Sequence, residues 1–248
     1  MTTPGPFLLF DFGGTLVDPR ALPASLVAVL RNEIRHPRAD LDRVALSWVA
    51  HTAELLPDAQ GPRFAPEKEI AVRALDDVLR KTGLPLNREA IARVVRTAWR
   101  RYASLAVLHA DATLSLLGSL RPRCQGMALV SDGDDDAVPI LAERLGVAPY
   151  FDAIITTEAV RAYKPDPAVY RAALKSLRAS PERCLFISDS LRDLEGARAL
   201  GIRTALISRS SAPGPEPQGD FLVLRSLGEL PRVLDSFNQS GPFRLRGR

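Results

Sequence analysis

The chain has 248 residues, 46% of them hydrophobic and 25% charged, with a formal net charge of +4. These are ordinary globular proportions, with length for one substantial core or for one core plus a smaller unit. The basic excess is slight and spread out apart from Arg244, Arg246 and Arg248, which is a poor basis for binding nucleic acid. Cys124 and Cys184 have no metal-ligand spacing and read as buried thiols in a reducing, cytoplasmic setting.

Residues 7–10, Phe-Leu-Leu-Phe, are apolar on both faces. They predict a buried parallel strand that ends at Asp11-Phe12-Gly13-Gly14-Thr15. The run is far too short for a signal peptide or a membrane span, so no membrane partner is expected. Between 21 and 105 no strand pattern occurs. Four apolar sets keep helical spacing instead: Leu22 to Leu30, Val44 to Leu56, Ile70 to Leu79, and Ile91 to Tyr102. Turn-like segments at 57–66 and 83–87 separate them. Trp48, Trp99 and Tyr102 follow the helical period and read as packing inside this insert. Further on, strand-like runs at 127–130, 152–156, 184–187 and 204–207 alternate with helical patterns at 136–145, 167–177 and 191–200, and 221–224 suits an edge strand. Pro167 fits a first helical turn, and Gly146 and Gly201 fit helix stops. The expected class is α/β: a Rossmann-like parallel sheet core over 1–20 and 106–237, with an all-helical cap over 21–105. The Pro-, Gly- and Ser-rich segment 208–219 reads as a surface loop and the basic tail 238–248 as a frayed end.

In open α/β sheets, ligands bind beyond the carboxyl ends of the strands. The polar residues expected there are Asp11, Gly13, Gly14 and Thr15, then Ser131 and Asp132, then Lys164 in Tyr-Lys-Pro-Asp, then Ser188, Asp189 and Asp193. Singly, each has an ordinary reading. An Asp after a strand is usually a turn former or a cap. Asp189 and Asp193 suit a solvated first helical turn. Their joint placement at one rim of the sheet is what points to a site.

That ordered set resembles the motifs of the haloacid dehalogenase-like superfamily. An Asp followed by Gly-Thr matches Asp11, Gly14 and Thr15. A Ser closing a hydrophobic strand matches Ser131, a Lys followed by Pro matches Lys164, and an acidic pair matches Asp189 and Asp193. The resemblance implies a Mg²⁺-dependent hydrolase, most readily a phosphatase of a small phosphorylated metabolite, with Asp11 as a carboxylate nucleophile that forms an aspartyl-phosphate. It assigns Mg²⁺ to Asp11, Asp189 and the backbone carbonyl of Gly13. Lys164 would neutralise Asp11 and the phosphoryl oxygens, and Asp193 would order Lys164 or a metal-bound water. Ser131, with Asp132 and Gly14 nearby, would border the substrate, and Thr15 would hold the loop. Oligomeric state is not legible.

One position departs from the family pattern. Its phosphatases commonly carry a second Asp two residues after the nucleophile, as acid and base; here that residue is Gly13. Such help is worth about 10²–10⁴-fold. The sequence leaves open a good leaving group such as an acyl phosphate, another proton donor (a cap residue, a water or the substrate), or a phospho-ligand-binding protein without turnover. A metal-free dehalogenase would not keep Asp189. A phosphonate-cleaving enzyme would need a cap lysine, and Lys68 and Lys81 read as surface charges. His36, His51 and His109 are isolated; His51 is the one that could face the site.

Overall fold

The computed structural model describes residues 5–36, 38–209 and 221–239. Most of the expected surface loop, from 210, and the tail from 240 lie outside the described residues. The core strands are β1 (Phe7–Phe10), β4 (Gly126–Ser131), β5 (Ala153–Thr156), β6 (Cys184–Ser188), β7 (Arg203–Ile207) and β8 (Leu222–Leu224), while β2 (Val17–Asp18) and β3 (Val107–Leu108) form a separate ribbon. The core strands make one parallel sheet in the order β5-β4-β1-β6-β7-β8. β1 is central, and Phe10 pairs with both Leu129 and Ile187. Asp11, Ser131 and Asp189 therefore leave the sheet side by side.

β1 is apolar throughout because both its faces are covered. Leu8 and Phe10 pack with Leu129 and Ile187 under α5 (Leu114–Leu120), α6 (Val138–Arg144) and α10 (Leu230–Gln239). Leu9 packs on the other face with Val130 and Phe186, against Tyr170 of α8 (Pro167–Leu177) and Leu194 of α9 (Leu191–Arg198); the short α7 is Thr157–Val160. Burying each such side chain contributes roughly 1.5–3 kcal/mol. Cys184 is buried in β6, whereas Cys124 is only partly buried. The helix expected from 136 starts two residues later. The Asp135 carboxylate is bonded to the Thr156 hydroxyl and that of Asp134 faces the cap, which holds 134–137 as a turn.

The chain leaves the core through β2 and returns through β3, an antiparallel ribbon pairing Val17 with Leu108. Between them lie α1 (Ala21–Glu33), α2 (Leu41–Leu55), α3 (Glu67–Lys81) and α4 (Arg88–Leu105). These four helices share a core of their own, with Leu30, Trp48, Leu75, Leu79 and Val94 buried in it. The Trp48 indole N–H donates to the Ala71 carbonyl at 2.8 Å, and Trp99 packs at its edge. Tyr102 differs from expectation: it packs against the sheet-side core, because α4 is by then re-entering the core. No described helix is long and apolar enough to cross a membrane.

Three contacts fasten the parts around the site. The Asp134 carboxylate, in the loop after β4, accepts the N–H groups of Glu67 at 2.7 Å and Lys68 at 3.0 Å, capping α3 from the sheet side. Gln60 exchanges two hydrogen bonds with the Tyr163 backbone, and the Tyr163 hydroxyl donates to the Ala65 carbonyl at 2.9 Å. Arg209, after β7, donates to the carbonyls of Gly14 and Thr15 at 2.9 and 2.7 Å, and is held by Asp111, which also accepts the Leu227 N–H. Burial favours the neutral Asp111, yet Arg209 and the Leu227 N–H outweigh it and keep its pKa low. Asp111→Ala removes the acceptor of the Arg209 Nε–H and of the Leu227 N–H and is expected to cost about 1–3 kcal/mol. The urea midpoint should fall at unchanged slope at neutral pH, and the gap should close as acid protonates Asp111 in the parent protein. An equal midpoint at neutral pH would show the clamp to be idle.

Candidate active site

Lys164 is the centre of the constellation. Its side chain is 2% exposed, and its ammonium lies 2.5 Å from Asp11 Oδ1, 3.0 Å from Asp193 Oδ2 and 3.4 Å from the Val130 carbonyl. Its backbone N–H donates to Asp132 Oδ1 at 3.0 Å. Burial works against its charge, but Asp11, Asp132 and Asp193 outweigh it and hold the pKa well above the usual lysine value. α9 reaches this loop closely because Gly196 has no side chain; a Cβ there would stand 2.5 Å from Pro165 Cβ.

The other Asp11 oxygen, Oδ2, is 2.9 Å from the Thr15 hydroxyl and 3.3 Å from that of Ser188. The Thr15 hydroxyl also lies 3.0 Å from Asp189 Oδ1 and accepts the Asp189 N–H at 3.0 Å, so it couples the two carboxylates. Burial, together with Asp193 and Asp189, pushes the Asp11 pKa up to about 6 against the pull of Lys164. Asp132 is pushed up to about 6, again chiefly by burial. Arg192, partly exposed, sits 3.6 Å from Asp132 and 3.3 Å from Asp193, so it is engaged with the acids between which it lies.

The two adjacent glycines differ. Gly14 has φ +77°, and a Cβ on it would collide with the Asp189 carboxylate at 2.3 Å. No other residue fits there. A Cβ at Gly13 meets nothing within 4 Å. The missing carboxylate at that position is therefore not imposed by the backbone.

Asp11, Thr15, Lys164, Asp189 and Asp193 lie together, with buried Ser131 at the adjacent strand end and Asp132 holding the lysine loop. His51 is not part of the site. Its ring lies 3.0 Å from Glu54 and 3.2 Å from Asp77 on the cap. Lys68 stands within 4.0 Å of Asp134, Asp136 and Glu158, whose carboxylates cluster around it. Burial opposes its charge, but those acids raise its pKa, which disfavours the free amine a Schiff base needs. Sequence reasoning missed Asp134, Gln60 and Arg209. Each acts across more than 60 positions, and an Asp in an acidic run or an Arg in a loop carries no local signal of such a partner.

The donor set suits a hard divalent cation. Among the described residues, Lys164 and Arg192 are the cations paired with the group Asp11, Asp132, Asp189 and Asp193, an excess of carboxylate in which Asp11 and Asp193 are buried, Asp132 is half-buried and Asp189 is exposed. Oxygen donors and surplus negative charge are what Mg²⁺ requires.

The family model for haloacid dehalogenase-like hydrolases matches residues 7–201. (S)-2-haloacid dehalogenase 1 of Pseudomonas sp. (strain CBS-3) is 29% identical over 175 residues, covering 69% of this chain and 74% of that protein. Phosphoglycolate phosphatase of Escherichia coli K12 is 26% identical over 201 residues, covering 77% of each. Among solved structures, the HAD-hydrolase YfnB of Bacillus subtilis, crystallised with magnesium bound, superposes with a TM-score of 0.75 at 19% identity, covering 94% of this chain and 100% of that one. By the family match over most of its length, the chain belongs to the haloacid dehalogenase-like hydrolases.

Proposed function

We propose that this hydrolase is a Mg²⁺-dependent phosphatase of small phosphorylated metabolites, with Asp11 as nucleophile. The observation that carries the reading is the second carboxylate, Asp189, coupled to Asp11 through Thr15. Without a cation, four carboxylates against two cationic side chains would repel a phosphate dianion. Asp11, Asp189 and the Gly13 carbonyl are the groups that would hold Mg²⁺, and the ion would neutralise the approach of phosphate to a carboxylate. Lys164 binds a phosphoryl oxygen and keeps Asp11 ionised, and Asp193 keeps Lys164 in place. The Ser131 hydroxyl and Gly14 border the bound phosphoryl group, and Asp132 fixes the lysine loop beside it. In this reading 1–20 and 106–237 form the catalytic unit and 21–105 the substrate-selecting cap.

The curated relatives include both a phosphatase and a dehalogenase. Dehalogenation is the second reading, and the same electrostatics weigh against it: a haloacid carboxylate entering without a metal meets the same surplus of negative charge.

Two outcomes follow. Phosphate release from aryl, sugar and acyl phosphates should require Mg²⁺ and vanish in Asp11→Asn. Release no greater than in that variant across the panel, or chloride release from 2-chloropropionate in chelator, would overturn the reading. Mg²⁺ should also raise the thermal midpoint, by the equivalent of about 2.7 kcal/mol at a hundred times its Kd. Asp189→Asn should abolish most of that shift, and an undiminished shift would place the ion elsewhere.

A further inference from the structure

Proton transfer in this site lacks an obvious agent. Lys164 is tied to two carboxylates. Asp132 has one oxygen on the Lys164 N–H and the other near Arg192. Asp193 is paired with Lys164 and Arg192. A phosphate monoester of an alcohol expels an alkoxide, which needs a proton as it leaves.

One carboxyl near the site is left without a partner. Glu67 is the first residue of α3, and Asp134 fixes its backbone by accepting its N–H at 2.7 Å. Its side chain makes no hydrogen bond or ion pair among the described residues. It projects over the loop after β4: Glu67 Oε2 and Ser131 Oγ each lie 3.8 Å from where a Cβ on Gly133 would stand, so they are less than about 8 Å apart. A phosphoryl group on Ser131 and its leaving oxygen span that gap. On its other side Glu67 lines a cavity of about 150 Å³ inside the cap, with Leu22, Leu26, Trp48 and Trp99 in its walls. The charged groups around it are acidic. Asp132 and Asp134 face it from the β4 loop, Tyr102 from α4 and Tyr163 from the lysine loop, while Lys68 on its own helix is turned to Asp134, Asp136 and Glu158.

We propose that Glu67 is the proton donor and acceptor of the reaction, delivered by the cap, and that the substrates are phosphate monoesters of alcohols. The proposal rests on the phosphatase reading. In the first half, an Asp11 oxygen bonds to phosphorus as the bond from phosphorus to the ester oxygen breaks. The Glu67 proton goes to that oxygen, and a neutral alcohol departs. In the second half, Glu67 as carboxylate takes a proton from water as the water oxygen bonds to phosphorus. The bond to Asp11 breaks, giving phosphate, the Asp11 carboxylate and a protonated Glu67. Burial, with Asp134 and Asp132 nearby, pushes the Glu67 pKa up to about 8, so the acid form is the resting one at neutral pH.

The test compares the Mg²⁺-loaded parent protein with Glu67→Gln on benzyl phosphate, whose leaving group is poor, and on acetyl phosphate, whose leaving group is good. Glu67→Gln should lower kcat/KM for benzyl phosphate by about 10²–10⁴-fold and that for acetyl phosphate by much less. The double variant Glu67→Gln/Gly13→Asp should regain much of the loss, since position 13 has room for a carboxylate, and this recovery also shows that the variant folds. In the parent, kcat/KM for benzyl phosphate should fall as pH rises through about 8, because the ionised Glu67 cannot donate. The infrared difference spectrum of parent minus Glu67→Gln at pH 7 should contain a protonated-carboxyl band. Equal losses on both substrates, or absence of that band, overturn the proposal and leave the phosphatase reading standing. A parent protein inactive on the whole panel defeats that reading, and this one with it.

Discussion

The contact on which the site depends is the ion pair between Lys164 and Asp11, almost wholly removed from water. Isolated burial of either charge would cost several kcal/mol, and removing one partner from such a pair is far more damaging than its net contribution suggests. The surrounding structure answers that problem in detail. Asp193 takes a second proton of the ammonium, with Gly196 letting α9 come close to the lysine loop, and Asp132 anchors the lysine backbone from the loop after β4. Asp11 in turn leans on Thr15 and Ser188, and Arg209 grips the backbone carbonyls of the turn. A carboxylate so enclosed and so outnumbered by other carboxylates suits the cation and the nucleophilic role proposed for it.

The polar contacts between cap and core carry positional information. Asp134 supplies to α3 the cap that Pro66, lacking a side-chain acceptor, cannot. Gln60 and Ala65 hold Tyr163, the neighbour of Lys164. The cap is thus registered against the β4 loop and the lysine loop, the two segments that border the phosphoryl position in the proposed mechanism.

Much of this was legible in the residues. The parallel strands announced themselves because both faces of the sheet are covered, so 7–10, 127–130 and 184–187 are apolar without alternation. The four cap helices were legible because each buries one stripe in a common core. Asp11, Lys164, Asp189 and Asp193 were singled out by their chain order and its resemblance to a family's motifs, two of them at strand ends, Lys164 before a helix and Asp193 in the first turn of one. What was hidden is what depends on distance in space. The Asp134 cap, the Arg209 clamp and the acidic surroundings of Glu67 arise from loops meeting after folding, and no spacing encodes them. Tyr102 shares the period of the cap helices yet packs on the sheet side, since periodicity gives the face of a helix and not which neighbour covers it.

The place of β1 in the sheet has a consequence for how the chain assembles. Phe7 pairs with Gly126 and Cys184, partners more than a hundred positions further along. The central strand must wait as an exposed greasy segment while the intervening chain is made, whereas the helical bundle between them closes on contacts much nearer in sequence. Loop-closure entropy makes such distant pairing slow and leaves the waiting strand open to wrong partners. The topology therefore implies that the bundle condenses first and the sheet last, so Asp11, the proposed nucleophile at the end of β1, meets Ser188 and Asp189 only once β6 has joined.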